Sequence, residues 1–118
     1  MTAHVVPDLG AALAWRDSPW PGVRWKKLFF DAASGESAVL LSFAPGASYG
    51  AHRHPAGEQY LVLEGELEDG GASYGRGAYV RLAPGSAHKP SSRSGCLLFV
   101  TLPRPIEELE SPGSPSAS

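Results

Sequence analysis

The stretch Gly46–Gly65, GASYGAHRHPAGEQYLVLEG, decides how this chain is read. It holds two of the four histidines, His52 and His54, with a single residue between them. A carboxylate, Glu58, follows four residues after the second. In a strand, side chains alternate between faces, so His52 and His54 share one face and Arg53 takes the other. Pro55-Ala56-Gly57 reads as a turn. Glu58 then opens the next strand, where its carboxylate can swing back beside the imidazoles. Two neutral imidazoles and one carboxylate make a good ligand set for a divalent metal.

A fourth ligand is available downstream. In Ala83-Pro84-Gly85-Ser86-Ala87-His88 a turn leads directly to a histidine. If the strands close into a barrel, His88 is expected to meet the other three from the facing sheet. The remaining histidine, His4, lies in the N-terminal segment and has no such context.

The surrounding sequence supplies the strands. Gly (14) and Pro (11) are spread at intervals, with short runs rich in Val, Leu, Phe and Tyr between them. That spacing predicts many short strands joined by turns. The expected strands are Val23–Asp31, Ala38–Phe43, Gln59–Leu67, Ala72–Tyr74, Ala78–Leu82 and Cys96–Leu102. Ser34-Gly35 and Pro84-Gly85 are turn signals, and Asp69-Gly70-Gly71 is a strong hairpin signal, because Asp and Gly tolerate positive φ. Tyr60-Leu61-Val62-Leu63 is apolar at both parities, which suits a sheet buried on both faces, as in a sandwich or filled barrel.

The 118 residues are expected to form one domain. Residues 1–20 form an N-terminal arm with a short helix at Leu9–Trp15. Residues 21–104 form the barrel, and residues 105–118 a turn and tail. Ile106–Glu110 reads as one helical turn, and Ser111–Ser118, containing only Ser, Pro, Gly and Ala, as disordered. Ten basic against twelve acidic residues leave a net charge of -2 with no basic run, so nucleic acid is not an expected partner. No apolar run approaches the roughly 18 residues that span a bilayer, and the N-terminus does not read as a signal peptide. Neither a membrane partner nor export is therefore expected. The single cysteine, Cys96, cannot form an internal disulfide, and a cytoplasmic location is the expectation.

At this point the chain resembles the cupin superfamily. Its first motif is Gly, five residues, His-x-His, three or four residues, Glu, six residues, Gly. Gly46, His52, His54, Glu58 and Gly65 match every position. The second motif is Gly, five residues, Pro-x-Gly, two residues, His, three residues, Asn. Gly77, Gly85 and His88 match it, while Pro84 is displaced by one position and Ser92 stands in place of the Asn. Within cupins, PGVRWKKLFFD, FAPGASYGAHRHPAGEQYLVLEGELED, GAYVRLAPGSAHKPSS and GCLLFV are similar to the ChrR-like group. That group includes the cupin domain of a zinc-binding anti-sigma factor and acetylacetone-cleaving dioxygenases. The resemblance implies an all-β, single-domain, RmlC-like jelly-roll barrel. With about twenty residues before the barrel and no CxxC pair, a cupin domain standing alone is expected rather than a complete anti-sigma factor.

The resemblance implies one divalent metal per chain, held by His52, His54, Glu58 and His88. Zn or Fe leads, with Mn, Ni and Co also compatible with this donor set. Two functions follow. In one, the site is a dioxygenase acting on a small chelating, β-dicarbonyl-like molecule, with Glu58 as ligand or base and Tyr60 in the pocket as the catalytic candidates. In the other, a closed zinc site is sensory or structural. Core packing alone accounts for Tyr60 and Val62, and a buried structural thiol accounts for Cys96, the sharper alternative there being a fifth ligand or redox sensor. Arg53, Arg81 and Lys89 read as solvated charges. Trp15, Trp20 and Trp25 read as edge-strand and arm packing or, in the functional alternative, as a dimer interface, and because many cupins pair through edge strands the resemblance implies a homodimer.

Overall fold

The computed structural model describes residues 2–9 and 13–112. The strands in chain order are β1 (Arg16–Asp17), β2 (Val23–Phe30), β3 (Ser37–Phe43), β4 (Ala47–Ser48), β5 (His52–His54), β6 (Glu58–Asp69), β7 (Ala72–Gly75), β8 (Tyr79–Leu82), β9 (Ser86–His88), β10 (Ser91–Ser92), β11 (Cys96–Leu102) and β12 (Glu107–Glu108). All pairings among the described residues are antiparallel. Among these residues no helix is long and apolar enough to cross a membrane.

The main sheet runs β1-β2-β3-β11-β6-β10-β4, with β7 and β8 also on β6, and it curls strongly into a half-barrel. A second sheet, β12-β5-β9, lies apart from it. The small cupin-like all-β fold implied by the motifs is the fold observed.

Strand β6 organises the curl. Its first half pairs with β11 and β8, and its second half with β7 and β10. A bulge separates the halves: Leu98 faces Val62 while Leu97 faces Glu64, leaving Leu63 as the extra residue. Bulges bend a strand and raise its twist. Gly65 follows at φ +75°, packed directly against the backbone of Gly95. The strand turns its corner there.

A second bulge lies in β2. Lys27 faces Val39 and Phe29 faces Ala38, so Leu28 is the extra residue. Without it, Lys27 and Phe30 would stand on opposite faces. With it, both face the concave side along with Trp25.

The core lines that concave side. Val23, Phe43, Tyr60, Val62, Leu67, Leu98 and Val100 are buried. The expectation of burial on both faces of β6 holds on one: Tyr60 and Val62 are buried, whereas Leu61 and Leu63 are half-buried. The Asp69-Gly70-Gly71 hairpin forms as read, with Asp69 opposite Ala72. The hairpin at Gly35 closes β2 onto β3 with the Gly35 amide donating to the Asp31 carbonyl at 2.7 Å.

The ends depart from expectation. Of the helix expected at Leu9–Trp15, residues 10–12 lie outside the described residues, and 13–15 carry no helix. Arg16–Asp17 adds an edge strand to β2, and Lys26 reaches back over the Trp15 ring to donate to the Leu9 carbonyl at 3.0 Å. Ile106–Glu110 is not a helical turn. Glu107–Glu108 pair with Arg53–His52 of β5, and the Leu109 amide donates to the Ala51 carbonyl at 2.9 Å. Backbone pairing with an otherwise open strand edge outweighs the weak helical pattern of this short segment. Residues 113–118 of the expected tail lie outside the described residues.

Candidate metal centre

Strand β5 presents His52 and His54 inward, both buried, and Arg53 outward, exposed. The His54 carbonyl accepts from the Gly57 amide at 3.1 Å and the Gly85 amide at 2.8 Å. One carbonyl thus anchors both turns that deliver the other ligands. Gly57 has φ +84°, and a Cβ there would stand 2.7 Å from the Leu82 carbonyl oxygen, so the turn into Glu58 needs glycine.

His88 lies on β9 directly opposite His52 in the register. This corrects the expectation that His88 arrives from the facing sheet. The three histidines share the small sheet, and Glu58, the first residue of β6, comes from the main sheet. The ligand set therefore joins the two sheets.

The four donors converge. The Nε2 atoms of His54 and His88 are 2.8 Å apart, and those of His88 and His52 are 2.9 Å apart. Glu58 Oε2 lies 2.7 Å from His54 Nε2 and 3.4 Å from His88 Nε2. Yet this buried oxygen makes no aligned hydrogen bond. Groups so close, with one left unpaired, point at a shared centre rather than at each other. Metal–ligand bonds of about 2.0–2.1 Å place neighbouring donors roughly 3 Å apart, so the set fits a divalent ion. One donor atom from each of the four residues falls within a 4.8 Å span.

Two of the three outward nitrogens reinforce this, while that of His54 is buried without a partner. His52 Nδ1 donates to the Gly50 carbonyl at 2.7 Å, and His88 Nδ1 lies 2.9 Å from Asp69 Oδ2. Donation from Nδ1 leaves Nε2 with its lone pair directed inward, as a metal requires. Tyr49 packs edge-on against the His52 ring, centroids 4.9 Å apart.

The electrostatics differ between histidines. Burial lowers His52 to about 4, with the Gly50 carbonyl opposing only in part. For His88 burial also lowers, but the Asp69 and Glu58 carboxylates outweigh it and raise the ring to about 9. Glu58 itself is lowered: burial would raise it, and the His54 and His88 rings prevail.

Asp69 is the residue that sequence reasoning missed. Its place before Gly70-Gly71 marked it as a turn residue only. It is buried, and it accepts from both His88 and the Tyr60 hydroxyl, the latter at 2.8 Å. Burial and the Asp69 contact raise the Tyr60 phenol. The one available signal was parity with Leu67: the two residues share a face of the strand, and both are buried. Asp69→Asn is expected to weaken metal binding about 10–100-fold, the usual cost of losing an outer partner of a ligand histidine. Competition with a chromophoric chelator measures it.

The other singled-out residues separate from the site. Cys96 is buried in β11 opposite Phe43 and Gly65 and is not in the cluster, and burial raises its thiol. His4 is exposed and bonds to the Leu28 carbonyl. Lys89 pairs with Glu110 at 2.9 Å. Trp20 packs beside Tyr49, and Trp25 lines the concave cavity.

That cavity has a volume of about 400 Å³, and all four clustered residues and Tyr60 line it. Pro105 and Ile106, just before β12, complete its wall.

The profile described as the ChrR cupin-like domain matches residues 5–104 of the chain. No curated protein matches it. Among solved structures, an acetylacetone dioxygenase from Acinetobacter johnsonii superposes with a TM-score of 0.82 at 16% identity, covering 100% of this chain and 85% of that one. An RmlC-like cupin protein from Ralstonia eutropha gives 0.77 at 19% identity, over 86% and 69%. The Rhodobacter sphaeroides complex of SigE with the anti-sigma ChrR gives 0.67 at 24% identity, over 79% of this chain and 51% of that one. At these identities the structural likeness speaks to the fold alone.

Proposed function

Since this chain belongs to the ChrR cupin-like domain family, we propose that it is a metal-dependent dioxygenase acting on a small chelating molecule of the β-dicarbonyl kind. The observation that carries the reading is the opening of the ligand cluster onto the apolar cavity. A volume of about 400 Å³ is within the range of small-molecule sites. A purely structural ion has no use for such a chamber beside it.

His52, His54 and His88 would hold the ion, with Glu58 as the fourth ligand. When bound, a divalent metal supplies Lewis acidity toward the dicarbonyl oxygens, and iron(II) supplies the redox chemistry that O₂ needs. The chain's own groups do the rest. Glu58, held below its usual range, is ionised at neutral pH, the form in which it can ligate the ion or, where it stays unbound, take the acidic carbon-bound proton of a dicarbonyl. The apolar wall excludes water. The Tyr60 hydroxyl is committed to Asp69, so Tyr60 acts as a positioning residue: it steadies the carboxylate that orients His88.

A second reading has the family match behind it: a zinc-holding cupin without catalysis, its ion read by a partner. Metal content and O₂ consumption separate the two. Protein reconstituted with iron(II) is expected to consume O₂ with acetylacetone, and metal-free protein is not. Stoichiometric zinc as purified, with no O₂ uptake after iron loading, would replace the first reading by the second.

A further inference from the structure

The cavity carries charge at both ends. At the inner end stand the three histidines and Glu58, its only carboxylate among the described residues. At the outer end stands Lys27, the only Lys or Arg among the lining residues. Its ammonium lies 5.4 Å from the centroid of the Trp25 ring and 4.7 Å from that of Phe30. Trp25 shares this face by strand alternation, and Phe30 is brought to it by the Leu28 bulge. Three other cations of the barrel have polar partners: Arg24 pairs with Asp17, Lys89 with Glu110, and Lys26 with the Leu9 carbonyl. Among the described residues Lys27 has no carboxylate partner. Two aromatic faces hold its charge at the cavity edge, where a weakly hydrated anion can be met.

The register gives the distance. Tyr60 pairs with Val100, Val100 with Val39, and Val39 with Lys27. One rung of the sheet therefore runs from Tyr60, two residues along β6 from the ligand Glu58, to the lysine, and all four residues line the cavity. Strands are about 4.8 Å apart, so the rung measures roughly 14 Å along the curled floor. Its middle, Val100 and Val39, is apolar.

We propose that the ligand of this cavity is an amphipathic carboxylate. A chelating head would sit on the histidine–glutamate cluster, an aliphatic body along Val100 and Val39, and a terminal carboxylate on Lys27. The assignment rests on the small-molecule reading above and adds to it a substrate class. A single ammonium between two rings suits one negative charge better than a phosphate dianion.

The test uses the full chain, metal-free and zinc-loaded, with linear β-diketones joined through a polymethylene spacer to a carboxylate, and their methyl esters. Binding is read by calorimetry and by quenching of tryptophan fluorescence. The acid is expected to bind roughly tenfold tighter than the ester, between an exposed ion pair and a charge-assisted hydrogen bond. Lys27→Met keeps the aliphatic stem and is expected to erase that preference without changing zinc affinity, and Lys27→Arg is expected to restore it. The preference should vanish at spacers too short to span the rung. Equal binding of acid and ester, no binding of either, or an unchanged preference in Lys27→Met overturns the assignment. Acetylacetone carries no anion tail. O₂ uptake with it, alongside equal binding of acid and ester, would sink this inference and leave the dioxygenase standing. A Lys27-dependent preference without O₂ uptake would do the reverse.

Discussion

His88→Ala is expected to leave the purified protein essentially free of bound divalent metal. The loss should exceed the roughly 10–100-fold that follows removal of an outer partner, because a donor itself is removed. His88 is the hinge of the set: its Nε2 is within 3 Å of both other imidazole donors, 2.8 Å from His54 and 2.9 Å from His52. Its removal also takes one partner from each of two buried carboxylates, leaving Glu58 with His54 and Asp69 with Tyr60. A buried charge that loses a partner is costly, so stability should fall as well. For that reason metal content is scored against a second variant, His52→Ala, whose ring touches the Gly50 carbonyl rather than a carboxylate on its outer side. Elemental analysis and chelator competition on both variants, with folding checked by near-ultraviolet circular dichroism, decide the matter. Folded variants with the parent's metal content would remove the cluster as the metal centre.

Gly65→Ala is expected to cost about 3 kcal/mol or more, combining a left-handed penalty of about 1–2 kcal/mol with overpacking of about 1–3 kcal/mol. Gly65 has φ +75°, and a Cβ there would lie 2.1 Å from the Gly95 carbonyl oxygen and 2.8 Å from the Cys96 Cα. Both obstacles are backbone, so no side chain can swing aside. The affected corner is where β6 passes from β11 to β10 and β7, so the curl of the sheet depends on it. Against a typical stability of about 5–15 kcal/mol, this is a large fraction. Gly70→Ala is the control, with φ +61° but open space around the added Cβ. Urea unfolding of the pair separates strain from clash. Equal midpoints would mean that the contact with Gly95 gives way more easily than its geometry implies.

The residues that sequence reasoning placed well were those whose chemistry is local. His52 and His54 share a face because a strand alternates, and Gly70-Gly71 turns because glycine permits it. Cys96–Leu102 matches its strand end to end. What escaped depends on pairing between distant segments. The strand of His88 has three residues, SAH, with no pattern to betray it, so its neighbour could not be named. Asp69 carried a stronger turn signal than a burial signal. The Leu28 bulge lies inside VRWKKLFF, where apolar and charged residues give no hint that the parity changes. IEELE looks weakly helical in isolation and becomes a strand only because β5 has an edge to fill.

That last pairing bears on how the protein can be cut and joined. Strand β5 is flanked by β9 on one side and β12 on the other, and the Ala51 amide is held by Glu110 at 2.8 Å. A fragment ending at residue 104, where the family profile ends, would leave the backbone beside His52 and His54 without its outer neighbour. Unpaired strand edges recruit strands from other molecules. A trimmed barrel would thus carry its adhesive margin beside its own chemistry, and the few residues after the barrel serve as a selvedge that keeps the weave from catching on its neighbours.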